Sequence, residues 1–343
     1  MNKGVVLFIL LSVFSIAFIS PLESEFIKPA NFPKPKYNFQ NNPFDSNKIN
    51  IGRALFYDPI LSKDSSISCA SCHSNYTAFA HVDHALSHGI ADRIGFRNAP
   101  GLMNLAWHEN FMWDGAINNL EMQALAPLTN HLEMDENLNH VLAKLNRSVF
   151  YKSLFKQAYG DDIISTDRFL KSITQFLLQM VSASAKYDSV KNGNTIFTSQ
   201  EKKGYHIFKK NCSACHTEPL FTNLKFERNN LPVDPNLKDM GRMRITQNAQ
   251  DSIRFKVPTL RNIAFTFPYM HDGRFSKLQD VLHHYENIEL LTSNNKRIKI
   301  RLNKAEKVDL MAFLLTLTDE NFLFNPALAF PKELLLLNRR KNE

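Results

Sequence analysis

The chain has 343 residues, long enough to bury a large core without disulfides and to hold more than one domain. With 44% hydrophobic and 22% charged residues it is not a disordered chain, and a net charge of +8 that is spread along it, without a basic block, excludes a nucleic-acid tail.

Lys3 precedes an uncharged apolar run from Val5 to Ile19, which Pro21, Glu23 and Glu25 break. This is the pattern of a signal peptide over residues 1–20, and the run is short for a membrane span of about 20 residues. Export to the periplasm is expected, with an uncleaved membrane anchor as the alternative. No cysteine lies near the end of the run, which excludes a lipoprotein anchor. Residues 21–45, rich in proline, asparagine and phenylalanine, read as an extended strap.

The four cysteines form two pairs, Cys69 with Cys72 and Cys212 with Cys215, and a histidine follows each, His73 and His216. C-x-x-C-H is the attachment pattern for c-type haem: each thiol can add to a vinyl group, and the next imidazole then lies under the iron. Zinc, a thioredoxin-like dithiol and structural disulfides are the rival readings. Zinc would use the pairs together, yet they stand far apart and each has its own histidine.

The flanks repeat as well. Gly52 and Phe56 precede the first site, Gly204 and Phe208 the second, each as G-x-x-x-F on a helical stretch. A glycine one turn before an aromatic lets another helix cross closely. The second stretch opens with a capping box, Thr198 with Glu201. Phe169, Ile173, Phe176, Leu177 and Met180 form one helical stripe, and Leu310, Phe313, Leu314 and Leu317 another, after a start at Asn303 with Glu306. The predicted fold is therefore mainly α: two tandem cytochrome c-like domains, each around one covalently bound haem. They span residues 46–188 and 189–325, joined near Lys186 to Thr195, where Asp188, Asn192, Gly193 and Asn194 weaken any helix. Residues 326–343 read as a tail with a solvated basic end at Asn338–Asn342.

Between the second haem site and the last helix, a helix is predicted to start at Ser276, with Gln279 completing its capping box. On it Leu278, Val281, Leu282 and Tyr285 share one face, so Tyr285 is the polar group on the buried side. Its phenol oxygen is a candidate ligand opposite His216. Met270 and His271 are rivals, and a packed core tyrosine is the plain alternative.

Several segments together resemble the bacterial di-haem cytochrome c peroxidase superfamily, in its order, from about residue 50 to 320. They are GRALFYDPILS from Gly52 to Ser62, CASCH, Arg97 to Pro100, Trp113 to Gly115 with Leu120 and Glu121, CSACH, VPTLRN from Val257 to Asn262, and YMHDG from Tyr269 to Gly273. Tyrosine at position 285, where other members carry methionine, resembles the methylamine-utilisation (MauG-type) branch.

The resemblance implies two covalently bound haem c groups and reduction of hydrogen peroxide at the first. A small cytochrome c or copper protein would donate electrons to the second. It implies Glu121 as catalytic acid and base, and a calcium ion held by the Asn98 side chain and the Thr266 and Pro268 carbonyls. Where the family often has a pocket glutamine this chain has Phe111, and where protein-modifying members have a surface tryptophan it has Lys210. His88 matches a distal-histidine loop with altered spacing and reads as a loop residue; His81 and His84 read as solvated. Members often dimerise, so a homodimer is one expectation. A MauG-type oxidase of an organic or protein substrate, and a non-catalytic electron-transfer cytochrome, are the alternative functions.

Overall fold

The computed structural model describes residues 25–291 and 297–339, with side chains to 336. The expected signal peptide lies outside them, as does most of the basic end. No helix among the described residues is long and apolar enough to cross a membrane.

Helices carry the fold, joined by long irregular segments. Among the described residues, strands occur only as two short antiparallel pairs, Phe226–Glu227 with Phe255–Lys256 and Glu289–Leu291 with Arg297–Lys299.

Two helix crossings organise the chain, and they are built alike. In the first, the helix Ser46–Tyr57, capped by the Asp45 side chain, crosses Thr166–Gln179, capped by Ser165. In the second, Ser199–Asn211 crosses Lys304–Leu315, and both start with the expected capping boxes, Thr198 with Glu201 and Asn303 with Glu306. Glycine sits at each contact because nothing larger fits. A Cβ on Gly52 would lie 2.0 Å from the Ser172 carbonyl oxygen, and one on Gly204 would lie 1.9 Å from that of Asp309. A helical glycine costs roughly 0.5–1 kcal/mol in backbone freedom, which the close packing offsets. The aromatic one turn later meets its counterpart across each crossing: Phe56 on Phe176 at 5.3 Å, Phe208 on Phe313 at 5.1 Å.

Each crossing anchors its own apolar cluster. Two segments depart from expectation. The stretch expected as a weak joint begins with a helix, Lys186–Lys191, because Asp188 caps the Ala185 N–H at 2.9 Å and is buried against Arg261, which grips it through both guanidinium nitrogens at 2.8 and 2.7 Å. The end of the chain is no loose tail either. Phe322, Leu323, Leu328 and Leu335 are buried in the first cluster, and Tyr57 donates to the Leu328 carbonyl at 2.7 Å.

Candidate functional site

Cys69–Cys72 forms a single helical turn with His73 at its C-terminus, and all four cysteines are free thiols. His73 Nδ1 lies 2.6 Å from the Phe79 carbonyl oxygen, and His216 Nδ1 lies 3.1 Å from that of Phe221. A carbonyl only accepts, so Nδ1 carries the proton and Nε2 keeps its lone pair. Burial pushes both imidazoles down to about 4, so they are neutral at pH 7.

Phe79 and Phe221 hold left-handed backbone, φ 58° and 54°. This conformation disfavours a side chain by roughly 1–2 kcal/mol, yet it aims each carbonyl back at its histidine. The buried rings sustain it, packing on Phe56 at 5.8 Å and Phe208 at 5.4 Å.

Burial also pushes the thiols of Cys69 and Cys212 up to about 12 and those of Cys72 and Cys215 up to about 11. Redox-active C-x-x-C pairs have depressed values, the opposite trend. Among the described residues no cluster of three or more His, Cys, Asp or Glu is placed to hold a metal ion. Two thiols on a turn beside a neutral imidazole with a free Nε2 fit covalent haem at each site. Glu133, not singled out from the sequence, lies close enough to Cys69 and Cys72 to add to their rise; its own carboxyl is raised by burial.

Glu121 follows a tight loop closed by the Phe111 N–H on the Ile117 carbonyl at 2.7 Å. Asn119 then caps the short helix Leu120–Gln123, accepting from the Glu121 N–H at 2.8 Å. The half-buried Glu121 carboxylate takes a hydrogen bond from the Tyr37 phenol, 2.7 Å to Oε1. Burial and this bond raise the phenol well above its usual range. Phe111 itself is buried and has no hydrogen-bonding side chain.

Tyr285 lies on the helix Leu278–Glu286, which starts after Lys277 without a side-chain cap, so the expected capping box does not form. Its phenol is raised above the usual range by burial and then by Cys215 and Cys212, so it faces the second pair of thiols. Asn229 hydrogen-bonds the phenol oxygen and also donates to Met270 Sδ at 3.4 Å, which keeps Met270 in the same neighbourhood. His271 is drawn elsewhere: its ring stacks on Phe255 at 3.8 Å and faces Asp239.

The other motifs meet in a polar hub. Arg97 pairs with Asp114 at 2.6 Å and takes both oxygens of Asp239 at 2.6 and 2.9 Å. Asn98 donates through Nδ2 to the Ala85 carbonyl at 3.0 Å, leaving Oδ1 as the atom a cation would take. The Thr266 methyl reaches the same segment, 3.4 Å from where a Cβ on Gly101 would be. Trp113 donates to the Asn98 carbonyl at 2.8 Å and accepts from the Lys256 N–H at 2.7 Å, so it stands on this seam, whereas Trp107 is buried under the strap. His88 pairs with Asp92 at 2.6 Å, and its carbonyl accepts from Cys72 Sγ at 3.5 Å. His84 is exposed as expected, but His81 is buried, with no partner for Nδ1 among the described residues.

The family described as di-haem cytochrome c peroxidase matches residues 46–196. The methylamine utilization protein MauG of Methylophilus methylotrophus is 33% identical over 311 residues, 87% of this chain and 89% of that protein. The cytochrome c551 peroxidase of Nitrosomonas europaea is 33% identical over 285 residues, 81% of this chain and 82% of that protein. Among solved structures, a MauG-like protein associated with microbial copper homeostasis superposes with a TM-score of 0.79 at 29% identity, covering 90% of this chain and 99% of that one. The diheme peroxidase BthA from Burkholderia thailandensis shares the fold, with a TM-score of 0.70 at 23% identity over 82% of this chain and 88% of that one. Two Cys-x-x-Cys-His turns, each with its histidine held by a carbonyl, agree with these relationships: the chain belongs to the di-haem cytochrome c peroxidase family.

Proposed function

We propose that the protein is an exported, periplasmic di-haem c-type peroxidase that reduces hydrogen peroxide to water with electrons from a small cytochrome c or copper protein. The observation that carries this reading is an asymmetry. The two attachment turns match, yet the first half holds a hydrogen-bonded carboxylate, Glu121, and the second holds Tyr285 facing its thiols. Cys69, Cys72 and His73 would hold one haem, and Cys212, Cys215 and His216 the other. Bound haem supplies the redox chemistry.

The chain's own groups move the protons. Glu121 takes a proton from the near oxygen of peroxide and returns it to the leaving oxygen, so that O–O cleavage is heterolytic. Two electrons and two further protons complete two waters. Tyr285 would be the residue to hold the second haem's iron as a phenolate, which would lower its potential, because an anionic phenolate favours the oxidised metal more than a thioether does. Asn98 Oδ1 with the Thr266 and Pro268 carbonyls would suit calcium, a cation that prefers oxygen ligands.

The test is electron paramagnetic resonance of the purified protein before and after peroxide, with donor oxidation followed in parallel. Peroxide should change the spectrum and consume two donor equivalents per turnover. Two low-spin signals that peroxide leaves untouched would sink this reading in favour of an electron carrier.

Tyr285 also supports a second reading, oxidation of an organic or protein substrate as in the MauG branch. Lys210, in place of a surface tryptophan, counts against a protein substrate approached by that route.

A further inference from the structure

We propose that Tyr37, carried by the N-terminal strap, is a positioning residue for Glu121 and supplies from outside the pocket motif a hydrogen bond that Phe111 cannot make. The proposal rests on the reading of Glu121 as the acid and base of peroxide cleavage. Tyr37 is fixed by its backbone: the Lys36 and Tyr37 N–H groups both donate to the Ala106 carbonyl, at 2.9 and 3.0 Å. Trp107 Nε1 donates to the Pro33 carbonyl at 2.8 Å, and Phe32 and Phe26 pack on the Trp107 ring at 4.9 and 5.8 Å.

The direction of the phenol hydrogen bond is fixed as well. Buried Asn42 donates through Nδ2 to the Tyr37 oxygen at 3.1 Å, and Gln175 of the helix Thr166–Gln179 holds the Asn42 backbone carbonyl at 2.9 Å. An amide N–H can only donate, so the phenol's single proton goes to Glu121 Oε1. With Oε1 engaged, Oε2 is the oxygen left to exchange a proton with peroxide. A carboxylate fixed at one oxygen has few ways to point the other, which is what a proton shuttle over one short step needs.

The experiment uses the full-length holoprotein as wild type, Tyr37→Phe, Glu121→Gln and the double variant. Stopped-flow absorbance gives the second-order rate with peroxide. Carbon monoxide association with the reduced protein, which involves no proton transfer, reports pocket access. Hydrogen exchange at Lys36 and Tyr37 reports whether the strap stays docked. Tyr37→Phe should slow the peroxide reaction about ten- to hundredfold, the range for losing one hydrogen bond to a charged group. Carbon monoxide association and exchange should be unchanged, and the double variant no slower than Glu121→Gln. A wild-type rate in Tyr37→Phe, altered carbon monoxide association or exchange, or fully multiplicative losses in the double variant would each overturn the inference while Glu121→Gln remains slow. A wild-type rate in Glu121→Gln would instead overturn the underlying assignment of Glu121.

Discussion

The two halves of the molecule are built alike around each histidine and differ in the polar side chains they hold elsewhere. Both halves contain the same parts: a glycine at a helix crossing, a phenylalanine one turn on, and a left-handed phenylalanine whose carbonyl holds the histidine Nδ1. The first collects Glu121, Tyr37 and the docked strap, whereas the second offers Tyr285 with Asn229 and Met270 nearby. The shared parts hold the fold, and under the proposed function the unshared parts would set the chemistry of each half.

The largest test of this division is Glu121→Gln. It should slow the peroxide reaction roughly 10²–10⁴-fold, the usual worth of a positioned acid–base group, with haem content and the second half's spectrum unchanged. Equal damage to both halves in stopped-flow and redox titration would contradict the division.

Next comes Tyr285→Met, which should raise the potential of the second half only, on the order of 0.1 V, because axial ligand identity sets haem potentials over a wide range. An unchanged spectroelectrochemical midpoint would show that Tyr285 merely packs.

The shared architecture predicts matched losses elsewhere. Gly52→Ala and Gly204→Ala each force a methyl against a backbone oxygen and should cost roughly 1–3 kcal/mol by chemical denaturation. A loss in one variant alone would break the equivalence of the two crossings.

The smallest effect concerns the hub. Burial would raise the Asp239 carboxyl, but the Arg97 hydrogen bonds and charge overcome it and hold the group below its ordinary 3.8. The unfolded chain therefore takes up this proton at higher pH than the folded one. The stability from the pair is present above about pH 4 and fades as pH falls through the folded value. Urea midpoints between pH 5 and pH 3 should fall less steeply in Asp239→Asn than in wild type. Equal slopes would show that the pair does not respond to acid.

The repeated parts were legible in the sequence because their logic is local. Cys-x-x-Cys-His, glycine before phenylalanine, and the boxes at Thr198 and Asn303 all lie within a turn or two. The burial of Tyr285 was legible from its helix face, although the start of that helix was misplaced. The pairings that join distant segments were not. Nothing near Asp188 announces Arg261, and nothing near Arg97 announces Asp239. The strap has no periodicity to reveal that Tyr37 ends on Glu121, and its docking depends on Ala106, Trp107 and Asn42 together.

The glycine crossings also bear on the order of events during biogenesis. Each cysteine pair lies inside the loop that a crossing closes, from Gly52 to Ser172 and from Gly204 to Asp309. Closing so long a loop is entropically unfavourable until its packing is in place, so these contacts belong to the slow, non-local stage of folding. Until then the thiols are open to solvent with ordinary reactivity; afterwards they are buried and pushed up to about 11 or 12. Under the proposed function the slow step would leave an interval in which haem could be joined to the chain, and the glycines would mark where that interval ends.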